Sequence, residues 1–127
     1  MSVAPGTLLS VAESLARLSQ GELGAERSEA IARAAIGRAY YAAYHATLLA
    51  AHQAGYVPSA GSGHYDLWFR WCREEGWNVD LGFAGENLRN KRTRADYHID
   101  RPLRDNPIVV VEEAKEIFRA IADNYPS

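Results

Sequence analysis

Hydrophobic residues recur every three or four positions along most of the chain, and no stretch alternates long enough to read as a strand, so the pattern predicts an all-α fold. Five helical segments are expected. The first covers about residues 7–19, with Thr7 as N-cap and Leu8, Val11, Leu15 and Leu18 on one stripe, and Gly21 and Gly24 break it. The second and longest covers 25–54, rich in Ala, with Gly37 as its weak point and Gly55 ending it. The loop 55–63 has four glycines and prolines among nine residues and is expected to be irregular. A short third helix runs over 64–75 and stops at Gly76. The fourth begins near Phe83 and ends at Tyr97 or His98. Residues 99–105 form an extended connection, Pro102 disfavouring helix before it. Asn106-Pro107 then supplies a cap and a proline at the first helical position. The last helix continues to about Asn124, with Val110, Ala114, Ile117, Phe118 and Ile121 inward and Glu112, Glu113, Glu116 and Arg119 outward. Ile108-Val109-Val110-Val111 is β-branched, but the preceding cap and the charges that follow favour helix.

A chain of 127 residues makes one domain, 1–127, read as an up-and-down bundle of four to five helices large enough to bury its own core. Its single cysteine, Cys72, excludes an internal disulfide framework and sits in the apolar run Leu67-Trp68-Phe69-Arg70-Trp71-Cys72, so it reads as a packed thiol in a reducing compartment. Trp68, Trp71 and Trp77 are expected as packing or dimer-contact residues. No basic and apolar leader opens the sequence, and the nearly uncharged stretch 39–55 contains His45, His52 and Gln53, too polar to span a bilayer. A cytoplasmic protein with no membrane partner is expected.

The net charge of −2 does not by itself point to nucleic acid, but its distribution does more. Residues 89–104 hold six basic side chains (Arg89, Lys91, Arg92, Arg94, Arg101, Arg104) against two acidic ones (Asp96, Asp100). This local excess on an acidic body is either a phosphate-attracting patch or a solvated helix face. Two polar constellations refine the choice. In Arg38-Ala39-Tyr40-Tyr41-Ala42-Ala43-Tyr44-His45, Arg38 and His45 lie within about 20° of each other on an ideal helix. They share a stripe with Ile31, Ala42 and Leu49, so that stripe reads as the apolar face. Arg38 and His45 would then either belong to a buried polar network or edge a phosphate-binding cleft. In the fourth helix Asp96 is expected to meet Arg38 or Arg92.

These two stretches carry a resemblance. Arg38-Ala39-Tyr40-Tyr41-Ala42-Ala43-Tyr44-His45 and, later, Arg92-Thr93-Arg94-Ala95-Asp96-Tyr97 resemble in order and spacing the signatures of the HEPN superfamily of helical, mostly RNA-directed prokaryotic proteins; Gly63-His64 ahead of a short helix matches too. The resemblance spans roughly residues 5–125. It implies a four- or five-helix bundle that homodimerises through its long helices. Many members are metal-independent endoribonucleases, often toxins of toxin–antitoxin or phage-defence systems. Their mark is an arginine followed four to six residues later by a histidine.

Here that pair would be Arg92 and His98 as catalytic groups, with Arg89, Lys91, Arg94, Arg38 and His45 binding RNA phosphate and with Asp96, Tyr97 and Tyr41 supporting them. An imidazole moves protons near neutrality and a guanidinium stabilises charge building on phosphate, so the RNA 2′-hydroxyl could attack without a metal. On one ideal helix Arg92 and His98 stand about 120° apart, so they converge only if the helix ends before His98 or a partner subunit supplies one of them. The alternative is a non-catalytic HEPN module that dimerises and binds a nucleotidyltransferase antitoxin or a nucleotide. No metal-ligand spacing, cofactor motif or glycine-rich phosphate loop is present; Gly61-Ser62-Gly63 lacks the lysine and spacing of one.

Overall fold

The computed structural model describes residues 3–59 and 61–126. Helices make up its regular structure, with no strand among the described residues. They are α1 (Pro5–Leu18), α2 (Ala25–Gln53), α3 (Gly63–Tyr65, running on as a π-helix over Asp66–Glu74), α4 (Val79–Tyr97) and α5 (Pro107–Asn124). α2 is the axis of the bundle and packs against α1, α4 and α5, while the π-helical part of α3 packs on α4. Tyr40, Ile36, Leu67, Trp68, Leu88, Val110 and Ile117 fill the centre. No helix among the described residues is long and apolar enough to cross a membrane.

The caps follow from local chemistry. Asn106 accepts from the Ile108 N–H at 2.9 Å with Pro107 at the first helical position, as expected. α2 ends in a Schellman turn, in which the Gly55 N–H donates to His52 O and the Tyr56 N–H to Ala51 O. Two starts differ from expectation. α1 begins at Pro5 after Ala4, so Thr7 is already inside the helix. α4 begins at Val79 rather than near Phe83, because Asn78 accepts from the Leu81 N–H at 3.0 Å, and the helix runs through Gly82 and Gly85.

Those glycines have a packing reason. A Cβ at Gly85 would lie 2.2 Å from the Trp68 ring, so only glycine lets the indole lie flat against α4. Trp68 is fully buried there. Trp71 and Trp77 are half-buried against the core, and burial pushes the Cys72 thiol up to about 12. Tyr56 and Ser59, after the end of α2, are pinned by buried Asp66. Its carboxylate accepts from the Tyr56 hydroxyl (2.5 Å), the Ser59 N–H (3.3 Å) and hydroxyl, and Arg70 Nε (2.5 Å) and Nη2 (2.9 Å). Arg70 foremost holds that carboxyl well below the usual range.

The phases of α1 and α2 correct the hydropathy reading. α1 buries Ala12 and Ala16, flanked by Leu9 and Leu15, and leaves Val11 and Leu18 exposed. α2 buries Ala32, Ile36, Ala39, Tyr40, Ala43, Thr47 and Ala50, and turns Arg38, His45 and Leu49 outward. Where small residues let helices approach closely, alanine buries completely and a leucine on the other side does not, so the largest side chains do not mark the inner face.

The buried arginine of α2 is therefore Arg33, not Arg38. Arg33 donates through Nη1 to the carbonyls of Arg94 (3.2 Å) and Ala95 (3.0 Å) and through Nη2 to that of Arg101 (2.5 Å), with Glu29 3.5 Å from its Nε. Glu29 also accepts from the Leu103 N–H at 3.0 Å. These bonds hold the 98–106 connection against α2.

Candidate functional site

α2, α3 and α4 bring aromatic, imidazole and guanidinium groups to one place. Tyr40, Tyr41, Tyr44 and His45 come from α2, His64 from the first turn of α3, and Arg89, Arg92, Asp96 and Tyr97 from α4. Arg92 organises the α4 side. Its guanidinium carbon lies 5.0 Å from the Tyr41 ring centre, 5.5 Å from that of Tyr97 and 5.7 Å from that of Tyr40, and Nη2 donates to the Tyr41 hydroxyl. Nε is buried 3.1 Å from Asp96 Oδ2, an ion pair whose N–H is not aligned as a hydrogen bond. The expected partnership of Asp96 thus falls to Arg92. Gly37 makes room for it, because a Cβ there would stand 3.3 Å from Asp96 Oδ1.

His64 organises the other side. Its Nδ1 lies 2.6 Å from the Tyr40 hydroxyl, which also accepts from Trp68 Nε1 at 3.0 Å. Burial raises the Tyr40 pKa, so the phenol stays protonated and can donate to Nδ1 or accept from it. The ring is oriented in either form, and Nε2 has no partner among the described residues. His64 stacks on Tyr44 at 4.3 Å between ring centres. Burial, and then the charges of Arg89, Arg92 and His45, hold its pKa below the ordinary imidazole value. It is therefore neutral near pH 7 and able to take up a proton. His45, exposed, lies against Tyr44 (5.3 Å) and Tyr41 (6.2 Å). Arg89, half-buried, has no ion-pair partner among the described residues and lines a cavity of about 140 Å³ with Tyr65, Phe69, Glu86 and Asn90.

Of the remaining expected site residues, Lys91, Arg94 and His98 are engaged elsewhere. Lys91 is paired with Glu113 of α5 at 2.6 Å, a tie between helices. Arg38 is exposed, with no ion-pair partner among the described residues. His98 caps the C-terminus of α4, its N–H on Arg94 O, and lines a cavity of about 330 Å³ with Arg94, Arg101, Pro102, Leu103, Arg104 and Asp105. Arg94 grips Asp105 through Nε and Nη2, both at 3.0 Å. Within this chain Arg92 and His98 thus have separate surroundings, and the imidazoles beside Arg92 are His64 and His45.

The sequence reading left His64, Tyr40 and Tyr44 out of the site. The signals were the tyrosine-rich turn of α2 and Gly63-His64 at a helix start, but nothing in them shows that α3 folds back onto α2. No group of three or more His, Cys, Asp or Glu among the described residues is placed to hold a metal ion. No protein-family model, curated protein or solved structure matches the chain.

Proposed function

We propose that this chain is an RNA-directed, HEPN-type helical protein and a metal-independent endoribonuclease, with His64 rather than His98 as its proton-transfer group. The observation that carries this reading is the convergence of His64, oriented by Tyr40, with Arg92 at the same cluster of tyrosine rings, Tyr41 lying 6.0 Å from the imidazole and 5.0 Å from the guanidinium carbon. In this mechanism His64 takes the proton of a ribose 2′-hydroxyl. That oxygen attacks the adjacent phosphorus, the bond to the 5′-oxygen breaks, and a cyclic phosphate forms. Arg89 and Arg92 stabilise the charge on the phosphoryl oxygens, and exposed His45 or water protonates the departing oxygen. Tyr41 and Tyr44 offer ring faces to unstacked bases.

Toxin or phage-defence action belongs to the same reading, as does a homodimer. Val11, Leu18 and Leu49, exposed on α1 and α2, are apolar surface that such a contact would cover. The test is cleavage of a single-stranded RNA in EDTA by the wild type, with a 2′-deoxy substrate as control. Cleavage of RNA alone, lost in His64→Ala, upholds the proposal; His64→Ala cutting at the wild-type rate overturns it.

One observation favours a second reading. Arg92 is 12% exposed and already engaged by Asp96 and Tyr41, as suits a guanidinium that braces a surface. A non-catalytic module binding a nucleotidyltransferase antitoxin or a nucleotide would leave RNA intact in the same assay.

A further inference from the structure

We propose that the pocket between α3 and α4 beside Arg89 is a base-recognition subsite, which takes an adenine of the RNA strand next to the bond that is cut. The inference rests on the endoribonuclease reading and adds a sequence preference to it. Tyr65, Phe69, Glu86, Arg89 and Asn90 enclose about 140 Å³ there. Pockets for whole small ligands begin at roughly 300 Å³, so this one admits a single ring system and leaves sugar and phosphate outside. Tyr65 follows His64 in the chain, and Arg89 lies close to one turn of α4 before Arg92. A strand whose phosphate meets the cluster of His64 and Arg92 thus has a neighbouring base within reach of the pocket.

Each wall has its own chemistry. Tyr65 is 53% exposed and stacks on Phe69 at 4.8 Å between ring centres, so its outer face is free for an unstacked base. Glu86, Arg89 and Asn90 are three and four residues apart and share one face of α4. Glu86 is fixed from behind. Its two carboxylate oxygens accept from Arg73 Nη1 at 3.0 and 2.8 Å, and the Arg73 guanidinium carbon lies 5.0 Å from the Phe69 ring centre and 3.9 Å from that of Phe83. Lone pairs remain on that carboxylate for a further donor. Asn90 is exposed, and its amide has no hydrogen-bond partner among the described residues.

These polar edges discriminate among bases. An asparagine amide can pair with the adenine N6 amine and N7 together. The Glu86 carboxylate accepts from an exocyclic amine and repels a carbonyl oxygen in its place, which disfavours uracil and guanine. Cytosine has the amine but a smaller ring system to lay on Tyr65. Arg89 would by itself favour guanine, but the cleavage reaction commits its guanidinium to phosphate.

The experiment is fluorescence anisotropy of the full chain with short deoxyuridine strands that carry one central adenine, cytosine, guanine or uracil. Lacking 2′-hydroxyls, they bind without being cut. The adenine strand should bind at least about tenfold more tightly than the uracil strand. Asn90→Ala should shrink that ratio below about threefold, and Tyr65→Ala should weaken every strand. Asn87→Ala, which alters a side chain turned to Glu113 of α5, should keep the wild-type ratio. Tyr65 and Asn90 are exposed, so an unchanged thermal midpoint checks the fold. Equal binding of the four strands, tightest binding of any base other than adenine, an undiminished ratio in Asn90→Ala, or no binding at all would each overturn the subsite. RNA strands of the same four sequences separate it from the reading on which it rests. Preferential binding without cleavage upholds the subsite and removes the nuclease, and cleavage without preference does the reverse.

Discussion

Arg92 and Arg94 stand two residues apart on α4, yet one is packed among three tyrosine rings and a carboxylate while the other lies 48% exposed with both arms on Asp105. Two residues are about 200° of helix, so each arginine belongs to a different side of α4 and a different neighbourhood. The Arg92 side has an imidazole oriented by Tyr40 and a cluster of tyrosine rings, but its guanidinium is mostly withdrawn from solvent. The Arg94 side has a cavity and exposed cations, but the His98 ring there has no hydrogen bond among the described residues that would set its tautomer. A basic run in a sequence is thus not one site. Helical geometry divides it, and the acids on other elements decide which charges remain available.

The sharpest break between the two sides is catalytic. His64→Ala should lower RNA cleavage by about 10²–10⁴-fold, the usual worth of a positioned proton-transfer group, while His98→Ala should stay within about twofold of wild type. Equal losses in single-turnover cleavage assays would show that the two sides act together. Arg92→Lys should follow, losing about 10²-fold, because an ammonium cannot keep the Tyr41 and Asp96 contacts while presenting a planar fork to phosphate. The pH profile separates the two histidines further. His64 has a lowered pKa and is needed unprotonated, so the acid limb of kcat/KM should fall below the ordinary imidazole value of 6.5. A limb above 6.5 would point away from this ring.

Stability changes are smaller. Arg33→Ala removes the donor shared by two carbonyls at the end of α4, Arg94 and Ala95, and by that of Arg101 in the following connection, and should cost about 3 kcal/mol in urea unfolding. Asp66→Asn should cost about 2 kcal/mol at neutral pH. The folded pKa of Asp66 is depressed, so its contribution is complete above the ordinary carboxylate range and is lost as pH falls through the folded value. The thermal midpoints of wild type and variant should therefore converge in acid. Lys91→Ala, which removes a partly exposed pair with Glu113, should cost less than about 1 kcal/mol and leave both sites working.

Much of the architecture was legible residue by residue. Asn106-Pro107, Gly55 and Gly76 mark boundaries through rules that act within a few residues, and the structure places helix ends beside each of them. The pairing of Asp96 with Arg92 was legible as one of two alternatives, because residues four apart on a helix are neighbours, and the structure decides it against Arg38. The start of α4 was not, since Gly82 looks like a breaker until it is seen packed against Trp68 and Cys72 of the preceding helix.

By itself, then, the amino-acid sequence determined what local forces determine: an all-helical chain, the approximate extent of its helices, and a cationic stretch on the fourth. Only the tertiary structure decided that Arg33 is buried and Arg38 is not, that His64 returns to Tyr40 across 24 residues of sequence, and that Arg92 lies among tyrosine rings while His98 lines a cavity with Arg94 and Arg101. The reason is physical. An alanine-rich helix has almost no preferred inner face until its neighbours pack, so the direction of each polar side chain is set by contacts between segments that no local pattern encodes.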